Sequence, residues 1–154
     1  MGSSPSFALS KKHKDALKRE IAKLKAPLVI NHRRIASEPL VPEEFDLFLQ
    51  FDISKISPSD VSLRFFDGEK EVIFKSESLE PYKNRHGDYL ILRAETINRE
   101  FENSDPANDR KIKVFIIDSK GHSSEGMSLE DLLRTSKRKR VKLNGEKVEV
   151  FYVN

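Results

Sequence analysis

The side chains best suited to catalysis or metal binding are spread along the chain without a recognisable spacing. The four histidines lack the spacing of a His-Glu-x-x-His motif: they are His13, His32, His86 and His122. The paired acids Glu43-Glu44 and Glu130-Asp131 occupy expected surface positions, where carboxylates are usually solvated. Cysteine is absent, which excludes disulfides, thiolate-bound metals and a cysteine nucleophile. With no Gly-rich phosphate loop and no nucleophile elbow, the sequence predicts neither an enzyme nor a cofactor.

The most specific functional string is SKRKRVKL, at residues 136–143. Five of its residues are basic within six positions: Lys137, Arg138, Lys139, Arg140 and Lys142. An exposed extended segment of this composition looks like a monopartite nuclear-import signal. The other interpretation is an edge strand, in which Lys and Arg prevent aggregation between sheets. Both interpretations stay open, because Val141 and Leu143 also fit one strand of a hairpin.

Charge is divided unevenly along the chain, although the net charge is only +3. Residues 11–34 contain nine Lys and Arg against two acids, and residues 134–147 contain seven against one. Residues 35–133 contain twelve against twenty-one. An acidic body therefore lies between two basic ends, and these ends are where an anionic partner would bind.

The N-terminal region carries a lipidation pattern and a predicted basic helix. Gly2 with Ser6 fits the N-myristoylation pattern, so a membrane partner is expected only if Gly2 is acylated. The alternative is an ordinary disordered terminus or a cloning remnant. From about residue 10 to 25 we predict a helix whose Lys and Arg surround a narrow apolar stripe, made of Leu17, Ile21 and Leu24. This stripe is a predicted partner-binding surface, although packing on the domain itself would explain it equally well.

Residues 45–75 carry the clearest strand signals. The odd positions of residues 45–53 are all apolar, which is the period of a half-buried strand. After a break at Pro58 the alternation returns at residues 61–65, and the turn pair Asp67-Gly68 precedes a strand at residues 72–74. These signals predict three antiparallel strands. Six residues of these and later strands are expected in the core: Leu49, Phe51, Leu63, Phe65, Val114 and Ile116.

The later part of the chain continues the pattern of strands and turns. Residues 76–87 are predicted as an extended loop, and residues 89–94 as a strand whose pattern continues to Phe101. Residues 111–118 suit a central strand covered on both sides. Ser128, with an acid three residues later, predicts a short capped helix. Asn144-Gly145 predicts a type I′ turn between two strands.

These elements predict a mainly β protein, an antiparallel β-sandwich with a basic N-terminal helix and a C-terminal β-hairpin. The expected domains are 1–42, a basic helix and linker, and 43–154, the sandwich with its basic hairpin. Ten phenylalanines can fill one core in a chain of 154 residues. No apolar run approaches the ~18 residues that span a bilayer, so we expect a cytoplasmic or nuclear protein, or one found in both compartments.

The order of strand 45–53, turn, strand, turn, strand and charged loop resembles the first half of the α-crystallin domain of small heat-shock proteins. That family has a Phe-x-Pro-Glu-Asp-Leu-like turn, a Val-x-Val strand, a Gly turn and a Glu-His-Gly-like tripeptide. Their places are taken here by Ile56, Pro58, Asp60, Val61, Leu63, Gly68, Val72, Phe74, His86 and Gly87. The nearest counterpart of the family's later Ala-x-x-x-Gly-Val-Leu signature is residues 124–129, which favour a helix start. The resemblance implies a chaperone-like sandwich, with an oligomer as one expected state.

These observations predict a non-enzymatic protein-binding module, chaperone-like or a subunit of a larger assembly. Such a module would take up a partner segment at a sheet edge or in a groove. The alternative is a nuclear nucleic-acid-associated protein whose basic N- and C-terminal segments grip phosphates. Aromatic residues interleaved with the basic runs would favour the second function, and residues 11–34 and 136–150 contain none. The first function is therefore preferred.

Overall fold

A computed structural model of the chain describes residues 38–135 and 137–153, with Val153 described by its backbone alone. All of the described helices and strands lie in one unit, Leu40–Asn154. The strands are β1 (Asp46–Phe51), β2 (Ser62–Phe66), β3 (Glu71–Phe74), β4 (Glu80–Asn84), β5 (Gly87–Leu92), β6 (Lys113–Ile117), β7 (Met127–Ser128), β8 (Lys139–Leu143) and β9 (Glu146–Val153). The helices are α1 (Ala94–Glu100) and α2 (Leu129–Arg134), with 3-10 turns at Pro58–Asp60, Ser76–Ser78 and Pro106–Lys111.

The strands form two antiparallel sheets, which confirms the predicted mainly β class. The larger sheet has the order β4-β5-β1-β9-β8, and the smaller has the order β3-β2-β6-β7. In the larger sheet Leu49 of β1 pairs with Leu90 on one side and Val150 on the other. In the smaller sheet Leu63 of β2 pairs in the same way with Phe74 and Ile116.

One buried cluster contains inward-facing side chains of both sheets. The six residues predicted for the core all belong to it, and none is more than 8% exposed. Leu40 and Val41, which precede the expected boundary at residue 43, are also part of it. Burial follows the apolar half of each alternating strand, because successive side chains point to opposite faces of a sheet.

The three strands predicted in residues 45–75 exist, but they do not lie side by side. β2 and β3 pair with each other, whereas β1 belongs to the larger sheet. Between β1 and β2 the chain turns at Asp52, whose Oδ1 accepts a hydrogen bond from the N–H of Ser54 at 2.9 Å. It then passes through the 3-10 turn Pro58–Asp60 into the other sheet. A connection this long exceeds the two to five residues of most hairpin loops, so it permits a change of sheet.

Two predictions for residues 76–101 are wrong. The expected loop at 76–87 contains strand β4, which pairs with β5 through Tyr82 and Tyr89. The expected strand beyond residue 94 is helix α1. Its Ala94 and Ile97, with Phe101 just after it, are spaced as one helical face and are all buried. The Oδ1 of Asp46 in β1 accepts a hydrogen bond from the N–H of Ala94 at 2.8 Å, which ties the helix start to the larger sheet.

Strand β6 lies between β2 and β7, as predicted for residues 111–118. Its Phe115 and Ile117 are only half-buried, so one face of this strand is covered less than predicted. The short capped helix is confirmed: Ser128 Oγ accepts a hydrogen bond from the N–H of Asp131 at 3.2 Å. The predicted basic N-terminal helix lies outside the described residues. No helix in the described part of the chain is long and apolar enough to cross a membrane.

Candidate partner-binding edge

Strand β8 forms one edge of the larger sheet. Among the described strands it pairs with β9 alone, in a register that joins Lys139 to Val150 and Leu143 to Glu146. The peptide groups of an edge strand that point away from its neighbour can pair with another chain. β8 therefore offers a row of backbone donors and acceptors along five residues.

From Arg140 to Leu143 the side chains of β8 are alternately basic and apolar, whereas Lys139 lies on the same face as Val141 and Leu143. Val141 and Leu143 are buried in the shared core, at 4% and 1% exposure. The residues between and before them, Lys139, Arg140 and Lys142, are exposed. The hairpin turn sets this register, since Asn144 and Gly145 have φ angles of 51° and 83°, as a type I′ turn requires. A slip of one residue would move Arg140 and Lys142 to the core face, so the register of this edge is firmly specified.

Two of the basic residues are held by contacts across the larger sheet. Arg138 donates from Nη1 to Glu149 Oε1 at 3.0 Å and also to Gln50 Oε1. Arg140 donates from Nε to Glu149 Oε2 at 3.1 Å. The hydrogen bond from Arg138, and then the charges of both arginines, hold the pKa of Glu149 below its usual value although burial opposes this. In the described part of the chain, Lys137, Lys139 and Lys142 have no ion-pair partner.

An aromatic row lies under Arg138, on the face of the larger sheet opposite the core. Phe48 and Phe151 pair across β1 and β9, and their ring centroids are 5.5 Å apart. Tyr89 meets both rings edge-on, at 6.0 and 6.2 Å. The guanidinium carbon of Arg138 lies 4.1 Å from the centroid of Phe151, within range of a cation-π contact. This row holds the side chain of Arg138 over the sheet face.

A pocket of 290 Å³ lies beside the start of β8. It is lined by Lys113 of β6, by Ser128, Asp131 and Thr135 at β7 and α2, and by Lys137 and Lys139. Gly126 also lines the pocket. A Cβ at this position would lie 2.8 Å from the ring of Phe115 and 3.2 Å from Cδ of Lys113, so the close approach of these two side chains requires a glycine. The pocket therefore brings together lysines that are far apart in sequence.

The other described edges suit strand addition less well. β4 contains Pro81, which has no backbone N–H to donate. β7 has two residues and β3 has four. β3 does present Ile73, which is 44% exposed, on its outer face. β8 combines five residues with no proline.

Two described carboxylates of another cleft have pKa shifts opposite to the shift that a general acid needs. A cleft of 530 Å³ at the β4-β5 turn is lined by His86, Asp52 and Glu149 among others. Hydrogen bonds from the side chain and backbone of Ser54 lower the pKa of Asp52, and the pKa of Glu149 is lowered as well. A general acid needs the opposite shift. The described residues contain no group of three His, Cys, Asp or Glu that could hold a metal ion.

His122 and Asp118 form a close pair that holds the turn after β6. His122 Nδ1 lies 2.8 Å from Asp118 Oδ2, and Oδ1 accepts hydrogen bonds from the N–H groups of Lys120 and His122 at 2.9 Å each. Burial raises the pKa of Asp118, but these hydrogen bonds outweigh it and the net shift is downward. The carboxylate thus closes the turn after β6.

The structure places only part of the predicted site. Residues Gly2, Leu17, Ile21 and Leu24, with His13 and His32, lie outside the described residues. The basic string is placed at the start of β8 and along it. Sequence reasoning missed Gln50, Glu149 and Phe151, since these become neighbours of the basic string only through strand pairing in the larger sheet. It also missed Lys113, which lies in the smaller sheet and lines the same pocket as Lys137 and Lys139.

Comparison of the chain with models of known families, with curated proteins and with solved structures found no match. The candidate site is therefore described by its geometry: an open, basic sheet edge next to a pocket that contains lysine side chains.

Proposed function

We propose that this chain is a non-enzymatic protein-binding module that takes up an extended, acidic partner segment along β8. The observation that carries the proposal is the combination of an open five-residue edge with three lysines that lack ion-pair partners among the described residues. Strand addition uses backbone hydrogen bonds for affinity and alternating side chains for selectivity.

Lys142 shares the outer face of the sheet with Arg140, two residues away, whereas Lys139 lies on the opposite face with Val141. An added strand lies about 4.8 Å from β8, so acidic residues at alternating positions of the partner meet Arg140 and Lys142, or meet Lys139 in the other register. Each opposite-charge pair across two strands contributes roughly 0.2–1 kcal/mol. Arg138 and Arg140 contribute less, because Glu149 already neutralises part of their charge.

We further propose that the two sheets form a β-sandwich of the chaperone-like kind, working alone or as a subunit of an assembly. One buried cluster that contains residues from both sheets supports this architecture. Turn residues of the α-crystallin-like pattern are also compatible with it: Pro58 begins a 3-10 turn, and Gly68 has a φ of 98° in the β2-β3 turn.

The alternative function is binding of nucleic acid in the nucleus, and the exposed lysines favour it to some degree. Such binding commonly adds aromatic platforms on which bases stack. The aromatic ring under Arg138 is Phe151, which is only 8% exposed and so offers little surface to a base. We therefore prefer the protein partner.

Amide hydrogen exchange of the full chain tests the proposal. The probe is a short peptide that alternates glutamate and valine, and a lysine-valine peptide of equal length is the control. We expect the glutamate peptide alone to slow exchange of the outward-facing amides of Lys139–Leu143.

Two charge-reversal variants complete the test. Lys139→Glu combined with Lys142→Glu should abolish the protection, whereas Lys83→Glu on the β4 edge should leave it unchanged. Protection at Glu80–Asn84 instead of Lys139–Leu143, or none at either edge, would overturn the proposal. Binding of single-stranded RNA that tightens steeply as salt is lowered, with no peptide binding, would favour the alternative.

A further inference from the structure

We propose that the pocket beside β8 binds a phosphate group carried by the partner peptide. The proposal rests on strand addition at β8 and names a second, separate contact of the same partner. Lys113, Lys137 and Lys139 line this pocket, and none of them has an ion-pair partner among the described residues.

The charge around the pocket is unbalanced. Three lysines line one small pocket, so their like charges repel each other, and an anion bound there would relieve that repulsion. Asp131 also lines the pocket, but it pairs with Arg134, which reduces its effect on the lysines. The pocket therefore attracts an anion.

Hydroxyl groups supply directed donors beside the lysines. Ser128 Oγ accepts a hydrogen bond from the N–H of Asp131, which leaves its own proton for an anion. Thr135, just after α2, also lines the pocket and carries a second hydroxyl group. A phosphate has three strong acceptor oxygens and a charge of about −1.5 to −2 at neutral pH, so it can use several ammonium and hydroxyl donors at once.

The pocket has the size that such a group requires. Its volume of 290 Å³ is well above the ~10–15 Å³ that a cavity needs to hold one water molecule, so it leaves room for a hydrated phosphate. It is open to solvent, so a group carried on a side chain can enter.

The position of the pocket favours a peptide as the carrier. Lys139 is both a wall of the pocket and the first residue of β8. A phosphorylated residue at one end of an added strand would therefore lie in the pocket while the rest of the segment pairs with β8. The phosphate of phosphoserine is the chemistry we assign to this position.

Isothermal titration of the full chain with matched peptides tests the inference. The probes are glutamate-valine peptides with serine or phosphoserine at either end. We expect phosphorylation at one of the two ends to tighten binding by about tenfold, the gain typical of several charge-assisted hydrogen bonds.

Lysine variants separate this pocket from the edge. Lys113 is exposed and lies on β6, away from the β8 backbone, so Lys113→Ala should remove most of the gain and leave the unphosphorylated peptide unaffected. Lys83→Ala, at another exposed lysine, should leave both affinities unchanged. Circular dichroism checks that the variants fold.

The outcomes distinguish the two proposals. No gain from phosphorylation at either end, or a gain that survives Lys113→Ala, overturns the phosphate pocket while strand addition stands. A gain without any protection of β8 amides overturns strand addition, and with it the inference. Binding of oligouridylate that equals the phosphopeptide and is lost in Lys113→Ala would identify nucleic acid as the phosphate source and overturn the peptide as its carrier.

Discussion

The side-chain amide of Asn98 forms hydrogen bonds with both backbone polar groups of Val41. The Val41 N–H donates to Asn98 Oδ1 at 2.9 Å, and Asn98 Nδ2 donates to the Val41 carbonyl oxygen at 3.0 Å. Val41 is fully buried and precedes β1. One side chain of α1 therefore satisfies the backbone of a segment that no described strand pairs with.

We expect Asn98→Ala to lower the free energy of unfolding by about 1–3 kcal/mol, because a buried N–H and carbonyl lose their partners. Urea denaturation measures the change. Arg99→Ala is the matched control on the same helix, since its contact with Glu95 is 4.0 Å long and exposed. That control should change stability by less than about 0.5 kcal/mol. Equal losses in the two variants would show that the Asn98 contact is unimportant.

The core assignment predicts a contrast between the two faces of the smaller sheet. Leu63→Ala and Ile116→Ala should each cost about 2–5 kcal/mol, because both side chains are fully buried and leave cavities. Ile73→Ala, on adjacent β3, should cost less than about 1 kcal/mol, since Ile73 is 44% exposed. Thermal and urea unfolding give these values. A loss below 1 kcal/mol at both buried sites would mean that the faces are assigned wrongly.

A side chain at Gly145, in the β8-β9 turn, should destabilise the protein through backbone strain and not through a clash. Gly145→Ala should cost about 1–2 kcal/mol, because the φ of 83° is strained for alanine although no atom lies within 4 Å of the added Cβ. Gly145→Asn should recover part of the loss, since asparagine tolerates this conformation better. Chemical denaturation of both variants provides the comparison. The prediction fails if asparagine is as destabilising as alanine.

The pKa of Glu149 predicts how acid weakens the larger sheet. The hydrogen bond from Arg138 lowers this pKa in the folded state. The ionised Glu149 therefore stabilises the fold at pH values above 4.5, the ordinary pKa of the group. That contribution is lost as the pH falls below 4.5 and through the folded pKa. Glu149→Gln should therefore be less stable than the parent near neutral pH, with a difference that shrinks on acidification. A difference independent of pH would exclude a role for this charge.

Residues 136–143 should direct nuclear import more strongly as an isolated segment than as part of the folded chain. A reporter fused to residues 136–143 should concentrate in nuclei, and Ala at Lys137, Arg138, Lys139 and Arg140 should abolish this. The same residues within the full chain should direct import poorly, because Arg138 and Arg140 are bound to Glu149 and β8 is paired with β9. Fluorescence microscopy compares the two fusions. Even distribution of the short fusion would leave edge protection as the explanation of the string.

Local sequence patterns predicted most strands because burial on one face produces alternation. They did not predict β4, whose side chains are exposed or half-buried on both faces and so show no alternation. Helix α1 was mistaken for a strand because Leu92 and Ala94 continue an alternating pattern, whereas Ala94, Ile97 and Phe101 share a helical face. Over such a short segment, the two-residue period of a strand and the 3.6-residue period of a helix are hard to distinguish.

The sequence predicts only those residues of the candidate site that are adjacent along the chain. Residues 137–142 are visible as a basic string, and Asn144-Gly145 as its turn. Pairing between distant strands determines that Glu149 binds Arg138, and the placement of the two sheets determines that Lys113 and Lys139 line one pocket. Such pairing depends on the packing of the whole core, which no local window contains.

The central position of β1 also constrains when the protein can fold. β1 is synthesised before both of its neighbours, β5 and β9, and Val153 of β9 pairs with Asp46 of β1. The larger sheet therefore cannot be completed until β9 has been synthesised, and until then one edge of β1 stays unpaired even if β5 has paired with the other. Because such long-range pairing is slow and exposes strand edges, synthesis is the stage at which this protein most needs protection from aggregation.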